Sequence, residues 1–539
     1  MTNYRPILYI LLTVILFTLW TDWEHWRPAA ASAPTQARTL PTLPGTPGTS
    51  LKAPGTRARP QKADTTISGQ RVTVATDTYT AVLNTRGADF SRLSLDHYFA
   101  DDSGRQHHYA LLTQDPKAVF LNQNGLLGYG HYPNQTSLYS VSHRHYAFKP
   151  GQARLHVRFH WAHGSLAVTK VYTFTRNSYT VPLRYIIHNK GSQPVRVYLY
   201  NQFLHGPPPK THFYHSAPIY IGGAFYSPTG KYQKVPFPHL VKHPLHRRVT
   251  GGWVAVSQHY FLGAAIPTPS QTAIFYSSVL PGPHYLLGYK TAQPLLIAPG
   301  ATASLETRLF LGPKQPSLLK AVAPGLDLTV DYGWLTVLAQ PLYWVLAHIE
   351  HVLGNWGASI ILLTVLIKVI FFPLSAASFK SMAKMRKLQP RMAALKERHG
   401  ADKTALQQAM MELYKQEKMN PLGGCLPMIV QIPVFIALYW VLLNSVALRD
   451  APFILWIHNL AAPDPYFVLP ILMGISMLVQ QLLNPAMMDP TQRKVMMIMP
   501  VIFTVFFLFF PAGLVLYWVT NNVLSILQQQ WVMSRVDKG

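Results

Sequence analysis

Residues 358–373 read ASIILLTVLIKVIFFP, and this stretch decides what kind of protein the chain makes. Apart from Ser359 and Thr364 it is apolar on every side, and it carries one charge, Lys368. A helix that is apolar all round belongs in lipid or deep in a core. A lysine near the middle of a span costs about 2.5–3.5 kcal/mol on insertion scales. It therefore needs water, a partner or a task. Lys368 precedes Pro373 by five residues, about 7–8 Å along a helix. Snorkelling to the interface is one solution. A water-filled cavity is the other, favoured because no Asp or Glu in the apolar segments offers an ion pair.

Toward the C-terminus, residues 425–446 and 466–484 each suit one further span. The apolar run from 495 to 526 is too long for one, at about 48 Å against roughly 30 Å of hydrocarbon. Pro511-Ala512-Gly513 divides it into 495–510 and 512–531, leaving a short tail at 532–539. Each half reaches only about 24 Å, which favours a locally thinned bilayer. The single cysteine, Cys425, excludes an intrachain disulfide and reads as a small packing residue.

Toward the N-terminus, residues 1–5 are short and basic, and residues 6–20 are apolar. Trp20, Trp23 and Trp26 suit a membrane interface. Residues 1–28 read as an uncleaved signal anchor. Cleavage near Ala29–Ala33 is the alternative, opposed by the intervening Asp22, Glu24 and Arg27. Residues 29–64, rich in Pro, Thr, Ala and Gly, read as a flexible linker. With 356–373 this makes six spans. Residues 375–420 hold ten Lys/Arg against four Asp/Glu, so they belong in the cytoplasm. Both termini then lie inside, and the large middle region lies outside the inner membrane.

That middle region, 65–316, alternates polar and apolar residues. Residues 71–74, 155–161, 166–174, 181–187, 253–256 and 305–311 read as strands, with turns at Gly164-Ser165 and Asn177-Ser178. A large β-sandwich follows. The chain has a net charge of +26, and this region holds 18 of the 23 histidines. Such a balance suits an acidic exterior; no module for direct nucleic-acid binding accompanies it. His107-His108 and His143/His145 lack metal-ligand spacing and read as surface residues. Residues 332–353 carry a helical apolar stripe, interrupted at Gln340-Pro341, and read as an amphipathic helix on the outer membrane surface.

Residues 375–420 read as a helical hairpin turning at His399-Gly400. Met382, Met385, Leu388, Met392 and Leu395 form one stripe, and Leu406, Met410, Leu413 and Tyr414 another. The stripes pack on each other, while Met382, Met385, Arg386, Lys387 and Met392 also suit partner binding. Within the spans the polar residues are Thr364, Gln431, Tyr439, Gln480, Gln481, Thr504, Tyr517, Trp518, Asn521 and Asn522. Singly each suits a helix–helix hydrogen bond. Together with Lys368 they suit the wall of a polar groove. No phosphate loop, nucleophile elbow or zinc motif appears, so no enzyme chemistry, metal or cofactor is expected.

In this arrangement the chain resembles the YidC/Oxa/Alb membrane-protein insertases. The matching stretches are DYGWL at 331–335, GNWGASIILLTVLIK at 354–368, SMAKMRKLQP at 381–390, NPLGGCLPMIVQIPVF at 420–435, APFILWIHNL at 451–460 and FPAGLVLYWVTNNVLSILQQQ at 510–530. The sandwich and anchor resemble the Gram-negative branch. The resemblance implies a five-helix insertase core with a hydrophilic groove open to cytoplasm and lipid. A basic residue there attracts the hydrophilic segment of a nascent inner-membrane protein. It further implies action alone or with the Sec translocon and its accessory subunits, and contact with membrane lipids. Ribosome and signal-recognition-particle contacts fall to the hairpin, the tail being short and weakly basic. Lys368 stands where relatives usually have arginine, and Tyr517-Trp518 where many have a tyrosine pair. Two other classes remain open on the residues alone: an anion channel or transporter using Lys368, and a mutarotase-like sugar-binding sandwich.

Overall fold

Why the middle region folds as sheets is plain in the strand Arg154–His163. Leu155, Val157 and Phe159 turn inward, while Arg154, His156, Arg158 and His160 turn out. This period of two is what a sheet with one covered face requires. A computed structural model describes residues 69–100, 106–208, 219–282, 284–400, 402–417, 426–483 and 490–538. The expected anchor (1–28), linker (29–64) and Cys425 lie outside the described residues.

Arg154–His163 pairs antiparallel with Leu166–Thr175, which pairs with Thr180–Asn189, which pairs with Thr302–Pro313. These belong to a nine-stranded sheet, packed with six-stranded and five-stranded sheets. All six stretches read as strands are strands. Gly164 and Asn177 sit at the expected turns with φ of 55° and 51°. Phe159, Leu183, Phe203, Phe275 and Leu309 are among the buried residues of one continuous core.

That core holds a cation the sequence reading passed over. Lys170, wholly buried in the strand Leu166–Thr175, donates to Asp89 Oδ1 at 2.7 Å and to Gly87 O at 2.8 Å. The rings of Tyr172, Tyr185 and Tyr139 stand within 5.3–5.8 Å of its ammonium. Burial pushes the Lys170 pKa down and that of Asp89 up to about 6, against the mutual attraction of the pair.

The helical half begins with Thr336–Leu353, a single helix that runs through Pro341 as the reading of 332–353 expects. Pro341 is exposed, so its missing N–H leaves no buried acceptor unpaired. Gly354, at φ 64°, ends this helix in a left-handed turn. Asn355 then caps Trp356–Ile370 by accepting from Ala358 N at 2.9 Å. Phe372–His399 follows at an angle of 65°, with Pro373 in its first turn, where proline is tolerated. Lys403–Gln416 completes the hairpin, turning at Gly400 as expected. Leu426–Asn444, Val468–Leu483, Pro490–Phe507 and Ala512–Lys538 follow. The last helix does not stop at Trp531 but runs on to Lys538, through the residues read as a tail. Among the described residues no single helix is long and apolar enough to cross a membrane, though the bent pair Trp356–Ile370 and Phe372–His399 passes that test together.

The two halves meet through specific polar contacts. His259 Nε2 lies 3.1 Å from Leu443 O at the end of Leu426–Asn444. Asn444 donates to Asp331 O, and Lys234 pairs with the Asp331 carboxylate. Arg449 donates to Phe99 O at 2.6 Å and stacks over Tyr109 and Phe261. Lys314, buried here, reaches Ser257 Oγ and Thr329 O at 3.3 and 3.4 Å. Burial draws the Lys314 pKa down to about 7 and that of His259 to about 3.

Candidate functional site

The 65° bend after Ile370 exposes one side of the last turn of Trp356–Ile370 to a cavity of about 380 Å³. Lys368 lies on that side. Its position at a helix C-terminus suits a cation, because the free carbonyls there carry partial negative charge. The ammonium, on a residue only 7% exposed, donates to Ser525 Oγ at 2.7 Å. Ser525 passes its own hydroxyl proton to Asn521 O at 2.7 Å, so it faces Lys368 as an acceptor. Among the described residues no carboxylate lines the cavity. The charge is thus met by a neutral dipole and faces a cavity whose wall mixes polar and apolar side chains.

Five helices build the wall. Phe372–His399 gives Ser375, Ser378, Phe379 and Met382, and Val468–Leu483 gives Gln480. Leu426–Asn444 gives Gln431, Ile432 and Phe435. The last helix gives a stripe at helical spacing: Tyr517, Trp518, Asn521, Asn522, Ser525 and Gln528. Gln431 Nε2 ties two of these walls together, donating to Asn521 Oδ1 at 3.0 Å and to Tyr517 OH at 3.4 Å. Asn522 donates to Ser476 Oγ at 3.0 Å. Trp518 Nε1 and Gln528 Oε1 are buried with no hydrogen-bond partner among the described residues. Phe435 packs edge-on to Trp518 at 4.9 Å. Ile432 is 48% exposed at the rim, so one side of the cavity opens outward past an apolar residue.

Of the residues read as groove-forming, Lys368, Gln431, Tyr517, Trp518, Asn521 and Asn522 line this cavity. Thr364, Tyr439 and Thr504 do not. Thr364 is buried and returns its hydroxyl to Ile360 O at 2.6 Å within its own helix. Tyr439 is half-buried beside the rings of Trp440 and Phe510. Thr504 sits over Gly474, where a Cβ would stand 2.0 Å from its Oγ1. It marks a close helix crossing that only glycine permits.

The hairpin divides likewise. Arg386 and Lys387 are exposed and Met392 is half-buried. Met385 is buried, and Met382 turns into the cavity. Met385 is thus taken up by packing, whereas Met382 faces the cavity. Ser375, Ser378, Phe379, Ser525 and Gln528 were missed. Their signal was spacing: 375, 378 and 382 repeat at helical intervals, as do 517, 521, 525 and 528.

Comparison with known proteins gives two family matches, "60Kd inner membrane protein" over residues 348–539 and "YidC periplasmic domain" over residues 71–345. A membrane protein insertase YidC of Methylobacillus flagellatus is 48% identical over 470 residues, covering 87% of this chain and 84% of the relative. That of Alkalilimnicola ehrlichii is 47% identical over 479 residues, covering 87% and 84%. A crystal structure of active YidC insertase covers 86% of this chain and 94% of its own, at 18% identity and a TM-score of 0.41.

Proposed function

The chain belongs to the YidC family, and from that premise we propose that it is a membrane protein insertase whose working site is the cavity around Lys368. The observation that carries this is a buried ammonium with a hydroxyl and, among the described residues, no carboxylate for company, facing an open cavity lined by both polar and apolar side chains. A cation so placed lowers the cost of bringing a short polar or acidic segment part-way into the membrane. The apolar rim at Ile432 lets the adjoining hydrophobic segment pass sideways into lipid. Burial of that segment releases about 25 cal/mol per Å² of apolar surface, so no nucleotide is required.

In this reading the apolar helices cross the inner membrane although each is short. Val468–Leu483 has 16 residues, about 24 Å, against roughly 30 Å of hydrocarbon. A bilayer thinned around the protein closes the gap and shortens the substrate's path. With an anchor at 1–28 the chain has six spans, the sandwich in the periplasm, and the hairpin and both termini in the cytoplasm. Exposed Trp334, Val337 and Trp344 support a position for Thr336–Leu353 along the outer surface. Arg386 and Lys387 suit ribosome or targeting contacts, and the Sec translocon is a further partner class.

Reconstitution tests this. Alone in liposomes, the protein is expected to insert a single-span substrate with an acidic tail. Lys368→Arg retains insertion, while Lys368→Glu reduces it about tenfold or more, the loss of roughly 1.4 kcal/mol of attraction. Equal insertion by all three forms would refute the electrostatic role, and no insertion beside an active control would refute autonomous insertase activity.

A further inference from the structure

Between Asp115 and Glu306 the sequence contains no aspartate or glutamate at all. The segment includes three adjacent strands of the nine-stranded sheet, whose outward face gathers several basic side chains. Arg154, His156, Arg158 and His160 project from the strand Arg154–His163, and Arg184 from the strand beyond its neighbour; all are exposed. The histidines are held in place. His156 Nδ1 lies 3.0 Å from Thr173 Oγ1 across the strand pair, and His160 Nδ1 lies 3.0 Å from Thr169 Oγ1. His188 repeats the arrangement with Thr302 at 2.9 Å. Each ring is thereby oriented through one of its nitrogens. Glu306, on the strand beside Arg184, is already paired with it.

We propose that this face is a docking surface for an extended acidic polypeptide segment lying along Arg154–His163. Charge complementarity selects the partner's sign. Spacing selects an extended chain: alternate residues of a strand repeat every ~6.6–6.8 Å, and so do alternate side chains of an extended peptide. Direction fits the membrane side. Arg154 pairs with Thr175, at the end of the sheet where Thr180 meets Phe310 and Pro313 meets Phe261. That end adjoins the helical region, since His259 there touches Leu443 O. A segment arriving from the helices meets Arg154 first. The proposal rests on the insertase reading, because it takes the ligand to be the translocated part of a substrate.

The test uses the full-length protein in nanodiscs and a labelled alternating Glu-Ser peptide. Wild type is expected to bind, and Arg154→Glu with Arg158→Glu to bind at least about tenfold more weakly, two surface ion pairs having become repulsions. A variant with glutamine at both positions falls between. Equal binding by wild type and the charge-reversed variant, or none by wild type, overturns the proposal. Polyphosphate or anionic-lipid vesicles that bind this face while the peptide fails to compete also overturn it, in favour of a phosphate ligand. Should the charge-reversed variant misfold, a photo-crosslinker at Thr173 in otherwise wild-type protein is expected to capture the peptide, and its failure to do so overturns the proposal. Insertion of a substrate with an uncharged tail keeps the two readings apart. Its loss in wild type counts against the insertase, whereas its retention with unchanged peptide binding in the reversed variant counts against this surface alone.

Discussion

Lys170 in the sandwich and Lys368 among the helices are both taken out of water, at 0% and 7% exposure, yet their surroundings differ in kind. Lys170 has a carboxylate, a backbone carbonyl and three tyrosine rings. Its charge is answered within the fold, so nothing remains for a ligand to supply. Lys368 has one hydroxyl and a cavity. Desolvation penalises both cations, but only the second leaves attraction unspent for a visitor. Burial alone therefore does not mark a working charge. The distinction lies in whether the fold has already completed it.

The largest effect expected from this contrast is structural. Lys170→Met strands the Asp89 carboxylate in the core and should destabilise the sandwich by about 3–5 kcal/mol, the usual result of removing one partner of a buried pair. Pairing it with Asp89→Leu removes both charges and should restore most of the loss. Thermal unfolding of the full-length protein, followed by tryptophan fluorescence, reads both. A single-variant loss under about 1 kcal/mol would mean that Lys170 is not answered in the way its contacts suggest.

Lys314 extends the comparison to a third lysine, buried at the joint with two long hydrogen bonds. Burial lowers its pKa to about 7 in the folded chain, against about 10.4 when unfolded. Between those values the unfolded chain binds more protons, so stability rises with pH from about 7 upward. Below about 7 both states are protonated and the penalty is present in full. Lys314→Met should raise the melting temperature near neutral pH and flatten its rise between about pH 7 and 10. An unchanged slope in the variant would remove Lys314 from the account.

Much of this was legible in the sequence, and the misses share a cause. Strand alternation places the sheets correctly, and carried one step further it also puts Lys170 inside, on the same side as Val168 and Tyr172. The apolar runs identify the helices, and Lys368 announces the groove. What local pattern does not show is which polar side chains face the same space. Thr364 lies one turn from Lys368, but its hydroxyl is consumed by its own helix. Thr504 is claimed by the crossing at Gly474. Ser525 reaches Lys368 across 157 positions of sequence, a contact fixed by helix packing and not by neighbouring residues.

The smallest expected effects bear most directly on the groove. Ser525→Ala removes the only side chain that accepts from the Lys368 ammonium among the described residues. A hydrogen bond to a charged group is ordinarily worth about 1.5–3 kcal/mol. Here the cavity is open and carries polar groups such as Asn521 and Gln528 near the vacated position, and water filling it recovers nearly all of that. Stability should therefore fall by less than about 1 kcal/mol. Lys368→Met should be similarly mild, because it removes a desolvated charge and leaves no counter-charge stranded, unlike the same change at Lys170. Insertion of an acidic-tailed substrate should separate the two variants, surviving Ser525→Ala and failing with Lys368→Met. If Lys368→Met instead costs as much stability as Lys170→Met, the ammonium is holding the helices together. Its freedom to meet a substrate would then be an illusion of the open cavity, and the contrast between the two lysines would collapse.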